Sequence, residues 1–319
     1  MTSKIGPTRG KPSIGVMLAA ALAAVILAAA IMRPAGAAFP GTAGAIAFTS
    51  NRDDAFFSQV YRMGSDGFGQ SRLSNTLVGA DLQPSWSADG GLIAFTNCPF
   101  GPCEIYLMNH DGSGEYNLTN DPANDTEPAW FPGGEKIAFR SSRTGAGDIY
   151  TANLDASGNV SEVTRITTGQ STDAEPTVSP DGRWIVFLRD NGLWMIKARP
   201  EDSTNRPVRL TRSGSFHGEP DWSPGGTQIA FTSSRSGNYE IYRMKAAPEG
   251  RNNRPVRLTR DAASDQDPTW SPDGKKIAFV SSQSGNYEIF RMRASDGANQ
   301  TNLTNDPATD RDPSWQPLP

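Results

Sequence analysis

The sequence predicts an all-β fold: a six-bladed β-propeller closed by its own C-terminal strand pairing into the N-terminal blade. Three observations carry this. Four landmarks recur six times each, their period is near 45 residues, and the first and last units are incomplete in complementary ways. A period of that length with four short β-type segments is the signature of propeller blades.

The first landmark is Pro-x-Trp, at Pro84/Trp86, Pro128/Trp130, Pro176/Val178, Pro220/Trp222, Pro268/Trp270 and Pro313/Trp315. The Trp positions are spaced 44, 48, 44, 48 and 45 apart. The second is an Ile-Ala-Phe run ending at Phe48, Phe95, Phe139, Phe187, Phe231 and Phe279, always nine residues after the Trp position where one precedes it. The third is an apolar-aromatic segment, as in Ile241-Tyr242, and the fourth is Leu-Thr or a near equivalent, as in Leu258-Thr259. Insertions fall mainly between the third and fourth landmarks, for example between Tyr150 and Ile166, where a connecting loop would absorb them.

The turn between the first two landmarks is explicit in Ser271-Pro272-Asp273-Gly274. Pro presets φ, Asp bonds its own backbone, and Gly supplies positive φ, so the two segments form an antiparallel hairpin. Blade landmarks begin near 46, 84, 128, 176, 220 and 268. The chain opens on Ile46-Ala47-Phe48 without a preceding Pro-x-Trp and ends on Pro313-Ser314-Trp315 without a following Ile-Ala-Phe. Residues 313–316 are therefore expected to complete the first blade, because one blade cannot cover both of its own faces.

Residues 1–39 read as a signal peptide or an uncleaved N-terminal membrane anchor, and 40–319 as the propeller. Lys4, Arg9 and Lys11 precede an uncharged run from Ile14 to Met32, and Ala35-Gly36-Ala37-Ala38 suits signal peptidase. The run is also just long enough to span a bilayer. Both readings place the rest outside the cytoplasm, periplasmic or secreted. Four of the 30 Lys and Arg, and none of the 34 Asp and Glu, lie in the first 40 residues, which leaves a net charge of −8 on the remainder. That charge argues against a nucleic-acid partner, since phosphate neutralisation dominates such affinity.

The unit Pro-x-Trp-Ser-Pro-Asp-Gly-x-x-Ile-Ala-Phe, then Ser-Gly-Asn-x-Glu-Ile-Tyr-x-Met, then Leu-Thr, resembles the WD40-like repeat of the TolB propeller family over about residues 44–317; Ser271–Phe279 and Ser284–Met292 match most closely. The resemblance implies a periplasmic or secreted propeller that binds protein partners. Nothing here corresponds to the α/β domain that precedes the propeller in TolB itself, which puts a Tol–Pal role in doubt.

Residues that recur in every blade build the blade, and a site on a ring breaks the symmetry. The acidic positions before Pro-x-Trp are Asp81, Asp125, Glu127, Asp173, Glu175, Glu219, Asp265, Asp267, Asp310 and Asp312. They should surround the mouth of the central channel. Structurally they would bond loop backbone or pair with arginines of Ser-x-x-Arg loops such as Arg143 and Arg235. Functionally they would form a carboxylate ring for a basic partner or a cation such as Ca²⁺, although no EF-hand-like spacing supports a metal loop. Phe216-His217 replaces the acidic pair in one blade, either as a loop pair facing solvent or as a ligand contact. Phe56 and Phe57, in a lengthened first-blade loop, are candidates for an interface or for packing on the next blade. Cys98 and Cys103 flank a hairpin and are expected to form a disulfide. The stretch Asn205–Arg212 recurs identically at Asn253–Arg260; it reads as charge protection of outer edges, with an anionic polymer as the second reading.

No Gly-x-Ser-x-Gly, His-Glu-x-x-His or phosphate-cradling loop is present, and the two histidines, His110 and His217, are far apart in sequence. The sequence therefore points away from an enzyme. It points to a monomeric binding platform for an envelope or extracellular protein or peptide, without cofactor, touching a membrane only through the N-terminal segment. The second reading is a metal-assisted hydrolase or lyase, Ca²⁺-type, acting at the channel mouth.

Overall fold

A computed structural model describes residues 39–76, 78–212, 214–247 and 254–318; the expected signal or anchor, residues 1–38, lies outside them. The described residues form six four-stranded antiparallel sheets and no helix. Each sheet is a blade whose first strand is innermost. Blade 1 joins Asp310–Leu318 to Thr42–Ser50, Gln59–Met63 and Ser71–Arg72. Blades 2 to 6 begin at Ala80–Trp86, Asp125–Trp130, Asp173–Val178, His217–Trp222 and Asp265–Trp270. The ring closes as the sequence predicts: Trp315 pairs with Ile46, Ser314 with Ala47, and Leu318 with Thr42.

The core lies between blades. Ala230, Ile241 and Leu258 of blade 5 pack with Trp270, Ile277, Phe279, Phe290 and Met292 of blade 6, and equivalent clusters fill the other interfaces. Each inner-strand Trp thus covers the blade before it, which is why the landmark recurs. Trp130 is fully buried and its indole N–H donates to Ser85 O of blade 2 at 3.1 Å. Val178 takes this place in blade 4, beside Phe131.

The hairpin turns follow their residues. In blade 6 the Ser271 hydroxyl donates to Asp273 at 2.7 Å and accepts from Lys276 N at 2.9 Å, while Gly274 holds φ at +69°. These turns mark one end of the disc, the turn face. The second-to-third-strand hairpins mark the other, the loop face.

Two details differ from the sequence expectation. In blade 3 the added residues between the third and fourth landmarks are not a loop; Val160–Arg165 is a full outer strand paired with Asp148–Leu154. Val160, Val163 and Thr164 are β-branched and suit a pleated edge. The Leu-Thr landmark follows the outer strand rather than forming it. The hydroxyls of Thr119, Thr167, Thr211, Thr259, Thr304 and Ser74 accept the N–H that opens the third-strand landmark, at 2.9–3.0 Å.

Packing reaches Phe39, one residue ahead of the expected boundary. Phe39 is 2% exposed among Ala94, Ile105, Trp130 and Phe139 of blades 2 and 3. Pro40 lines a cavity with Trp184 and Trp222 of blades 4 and 5, and Gly41 N donates to Pro272 O of blade 6 at 3.3 Å. Three consecutive residues that touch widely separated blades place this segment across the channel at the turn face.

Candidate functional site

The residues singled out from sequence lie on the loop face. Each inner strand carries Asp81, Asp125, Asp173, His217, Asp265 or Asp310 as its first residue, or in blade 2 its second, all no more than 1% exposed. In three blades this Asp meets an arginine of its own blade: Asp310 with Arg52 at 3.0 Å, Asp125 with Arg143 at 2.6 Å, and Asp173 with Arg189 at 2.5 Å. Each guanidinium also lies over aromatic rings, as Arg143 does over Phe139 at 5.5 Å and Tyr150 at 5.7 Å. Arg143 spans two carboxylates, because its Nε also meets Asp121 at 3.1 Å. In blade 2 the disulfide loop replaces the arginine, and Asp81 accepts instead from Asn97 at 2.7 Å and Thr76 at 3.0 Å.

Blades 5 and 6 break this pattern in opposite senses. Blade 5 keeps the arginine and loses the acid. Arg235 stands over Tyr242 at 5.4 Å and makes no ion pair among the described residues. His217, in the aspartate position, sits edge-on to Phe231 with ring centroids 5.9 Å apart. Burial holds its pKa down to about 4, with Arg235 adding repulsion, so the ring is neutral at ordinary pH. Blade 6 keeps the acid and loses the arginine. Gln283 occupies the position of Arg143, and among the described residues no cation or N–H group meets either carboxylate oxygen of Asp265. Burial raises the Asp265 pKa to about 6; the Ser281 and Thr259 hydroxyls pull it down, and Asp261 and Glu240 push it up. Burial also raises Asp125 to about 6, but there Arg143 pulls against it.

The second acidic position has a different role. Gln83, Glu127, Glu175, Glu219, Asp267 and Asp312 all hold φ between 50° and 60° and sit where the inner strand slips register. That kink turns the backbone N–H of Gln83, Glu127, Glu175, Glu219 and Asp267 toward the preceding blade. Glu175 N donates to Glu127 at 2.5 Å, Glu219 N to Glu175 at 2.6 Å, and Asp267 N to Glu219 at 2.8 Å. Glu127 N donates to Gln83 at 3.1 Å and Gln83 N to Asp312 at 3.3 Å. The result is a head-to-tail belt around the channel wall, with these side chains 0–6% exposed. Glu127 has its pKa raised by burial, and Arg140 at 3.8 Å opposes the rise.

An aromatic patch crosses blades 1 and 2. Phe56 is 61% exposed and Phe100 is 54% exposed, and Phe57 meets Phe100 edge-on at 6.2 Å. Cys98 and Cys103 are joined as a disulfide that anchors the loop presenting Phe100. Phe216 is half-buried and packs edge-on against Tyr239 at 5.6 Å. Among the described residues no group of three or more His, Cys, Asp or Glu could hold a metal ion, and no helix is long and apolar enough to cross a membrane. A 620 Å³ cavity lies on the turn face, away from all these groups, lined by Trp184, Met195 and Trp222 among others.

The sequence reading missed Gln83, Asp121, Asp261, Gln283 and Phe100. The signal for Gln283 was present: the column Arg52, Arg143, Arg235, Gln283 runs beside the column Asp310, Asp125, His217, Asp265, and only comparing the two shows where one partner is missing.

The TolB beta propeller domain matches residues 69–211 and 204–318, most of the repeat region. The chain belongs to the TolB propeller family. Among solved structures, TolB from Acinetobacter baumannii superposes with a TM-score of 0.73 at 22% identity, over 97% of this chain and 74% of that one. A manganese-bound oligogalacturonate lyase gives a TM-score of 0.55 at 15% identity, over 82% and 75%. The propeller domain of the Trilobed protease from Pyrococcus furiosus gives 0.54 at 11%, over 83% and 97%. At these identities the likeness shows the fold of this TolB-family propeller and nothing of its chemistry. No curated protein matches the chain.

Proposed function

We propose that this TolB-family propeller is an extracytoplasmic platform that docks a protein or peptide partner on its loop face. The observation that carries the reading is the unevenness of that face within a regular ring. One side presents Phe56, Phe57 and a disulfide-anchored Phe100. On from blade 1 in the ring, blades 6 and 5 each keep one member of the Asp–Arg pair and lose the other. Exposed aromatics beside unsatisfied charge suit one asymmetric partner. The N-terminal sequence and the disulfide support export.

The lyase and peptidase propellers among the fold relatives keep a metal-assisted hydrolase or lyase as the second reading. It finds less support in the site. The belt carboxylates accept backbone N–H groups, and three of the opening aspartates hold arginines.

The test is affinity capture from the native cell envelope by the purified full chain, with and without chelator. The platform reading expects one recovered protein, insensitive to chelator and lost in the double variant Phe56→Ser, Phe100→Ser. Turnover of a carbohydrate or lactone panel that chelator abolishes would overturn it.

A further inference from the structure

We propose that blade 6 contains a vacant guanidinium slot, formed by Asp265 and Asp261 beside the Phe279–Phe290 ring pair, that accepts an arginine side chain from a partner polypeptide. The proposal rests on the loop-face reading above and names the chemistry that the partner must supply.

The ring supplies its own template. In blade 3 the Arg143 guanidinium bridges Asp125 at 2.6 Å and Asp121 at 3.1 Å and covers Phe139 and Tyr150. In blade 1 Arg52 joins Asp310 and covers Phe48 at 5.4 Å and Tyr61 at 5.0 Å. In blade 4 Arg189 forks onto both oxygens of Asp173 and covers Phe187 at 5.2 Å. Blade 6 keeps every component except the cation. Asp265 opens the inner strand at 0% exposure. Asp261 stands four residues before it, as Asp121 stands before Asp125, and each takes the N–H two residues on, at 2.8 Å and 2.9 Å. Phe279 and Phe290 pair at 6.0 Å, as Phe139 and Tyr150 do at 6.2 Å. The loop backbone is the same too: Gln283 N donates to Ser281 Oγ at 3.2 Å, and Arg143 N to Ser141 Oγ at 3.3 Å.

The missing group is thus defined by shape and charge. A buried carboxylate without a cation is costly, and a planar, weakly hydrated guanidinium satisfies it by forked hydrogen bonds while stacking on the rings. The place is close to solvent. The side chains of Arg52, Arg143 and Arg189 remain 16%, 18% and 13% exposed in their own slots, and Gln283 is exposed.

The test uses the full chain and three blocked pentapeptides, Gly-Ser-X-Ser-Gly, in which X is arginine, citrulline or lysine, with free arginine amide as a fourth probe. Binding is measured by calorimetry. The arginine peptide is expected to bind at least about tenfold more tightly than its uncharged citrulline isostere. Gln283→Arg, which fills the slot from within, is expected to abolish that preference and to raise the melting temperature, so its loss of binding cannot come from unfolding. Equal binding of arginine and citrulline peptides, or a preference that survives Gln283→Arg, overturns the slot. Equal binding of lysine overturns the guanidinium assignment, and tighter binding of free arginine amide overturns the polypeptide source. The envelope capture is repeated with Gln283→Arg. Undiminished capture there counts against the slot alone, while failed capture by the unaltered chain with a retained arginine preference counts against the platform alone.

Discussion

Glu175 accepts a hydrogen bond at 2.6 Å from the backbone N–H of Glu219, which belongs to the next blade. Glu175 in turn donates its own N–H to Glu127 in the blade before. Gln83, Glu127, Glu175 and Glu219 are each at once a backbone donor and a side-chain acceptor, and each holds a positive φ.

Removing one acceptor should therefore weaken an interface between blades. Glu175→Ala leaves the buried Glu219 N–H without this partner and is expected to cost about 1–3 kcal/mol. Glu175→Gln, which keeps an acceptor oxygen, is expected to cost less. Urea unfolding of the two variants checks the order; an Ala variant as stable as the Gln variant would contradict the belt.

Asp265 and His217 should oppose one another in the pH dependence of stability. The folded pKa of Asp265, about 6, lies above its ordinary 3.8. Its contribution is present below 3.8 and is lost as pH rises through 6. His217 is held at about 4, below its ordinary 6.5. Its contribution is present above 6.5 and is lost as pH falls through 4. Asp265→Asn is expected to stabilise the chain at neutral pH by on the order of 2–3 kcal/mol. His217→Gln is expected to flatten the loss on the acid side. Melting temperatures from pH 4 to 8 separate the two.

The Cys98–Cys103 bridge closes a short loop at a sequence separation of five. On loop entropy, the double variant Cys98→Ser, Cys103→Ser is expected to lose about 2 kcal/mol. Because the bridge anchors the loop that carries Phe100, faster protease cleavage between residues 98 and 103 is expected with it. Calorimetry and timed proteolysis follow the two effects.

At Gly218 a larger residue would press on its neighbours. An added Cβ would lie 2.4 Å from Phe216 Cζ and 2.9 Å from Glu175 Oε2. Gly218→Ala is expected to displace Phe216 from Tyr239 and to cost about 1–3 kcal/mol. Near-ultraviolet circular dichroism reports the aromatic change, and an unaltered spectrum would refute the contact.

The fold was legible because its determinants are local and repeated. Trp86, Phe95 and the turn residues between them state a hairpin in one stretch of sequence, and six copies state the ring. The site was legible only in outline. The acidic columns and a pairing with loop arginines such as Arg143 could be read, but not which carboxylate each arginine holds, nor that Glu219 reaches Asp267 across 48 residues. Such pairings depend on which way a kinked strand turns its side chains. Phe100 escaped notice because its neighbour Phe57 is 43 residues away in sequence and meets it only across two blades.

The pairing of Thr42–Ser50 with Asp310–Leu318 has a mechanical consequence. Every neighbouring pair of blades is joined by continuous chain, and within blade 1 this lateral seam joins the first strand of the ring to the last, so tension on the two ends falls on it. Force applied there should act on those rungs first, and once they part the remaining wedges face an open arc with two uncovered flanks. Rupture is then expected as one large event instead of a staircase of single-wedge releases.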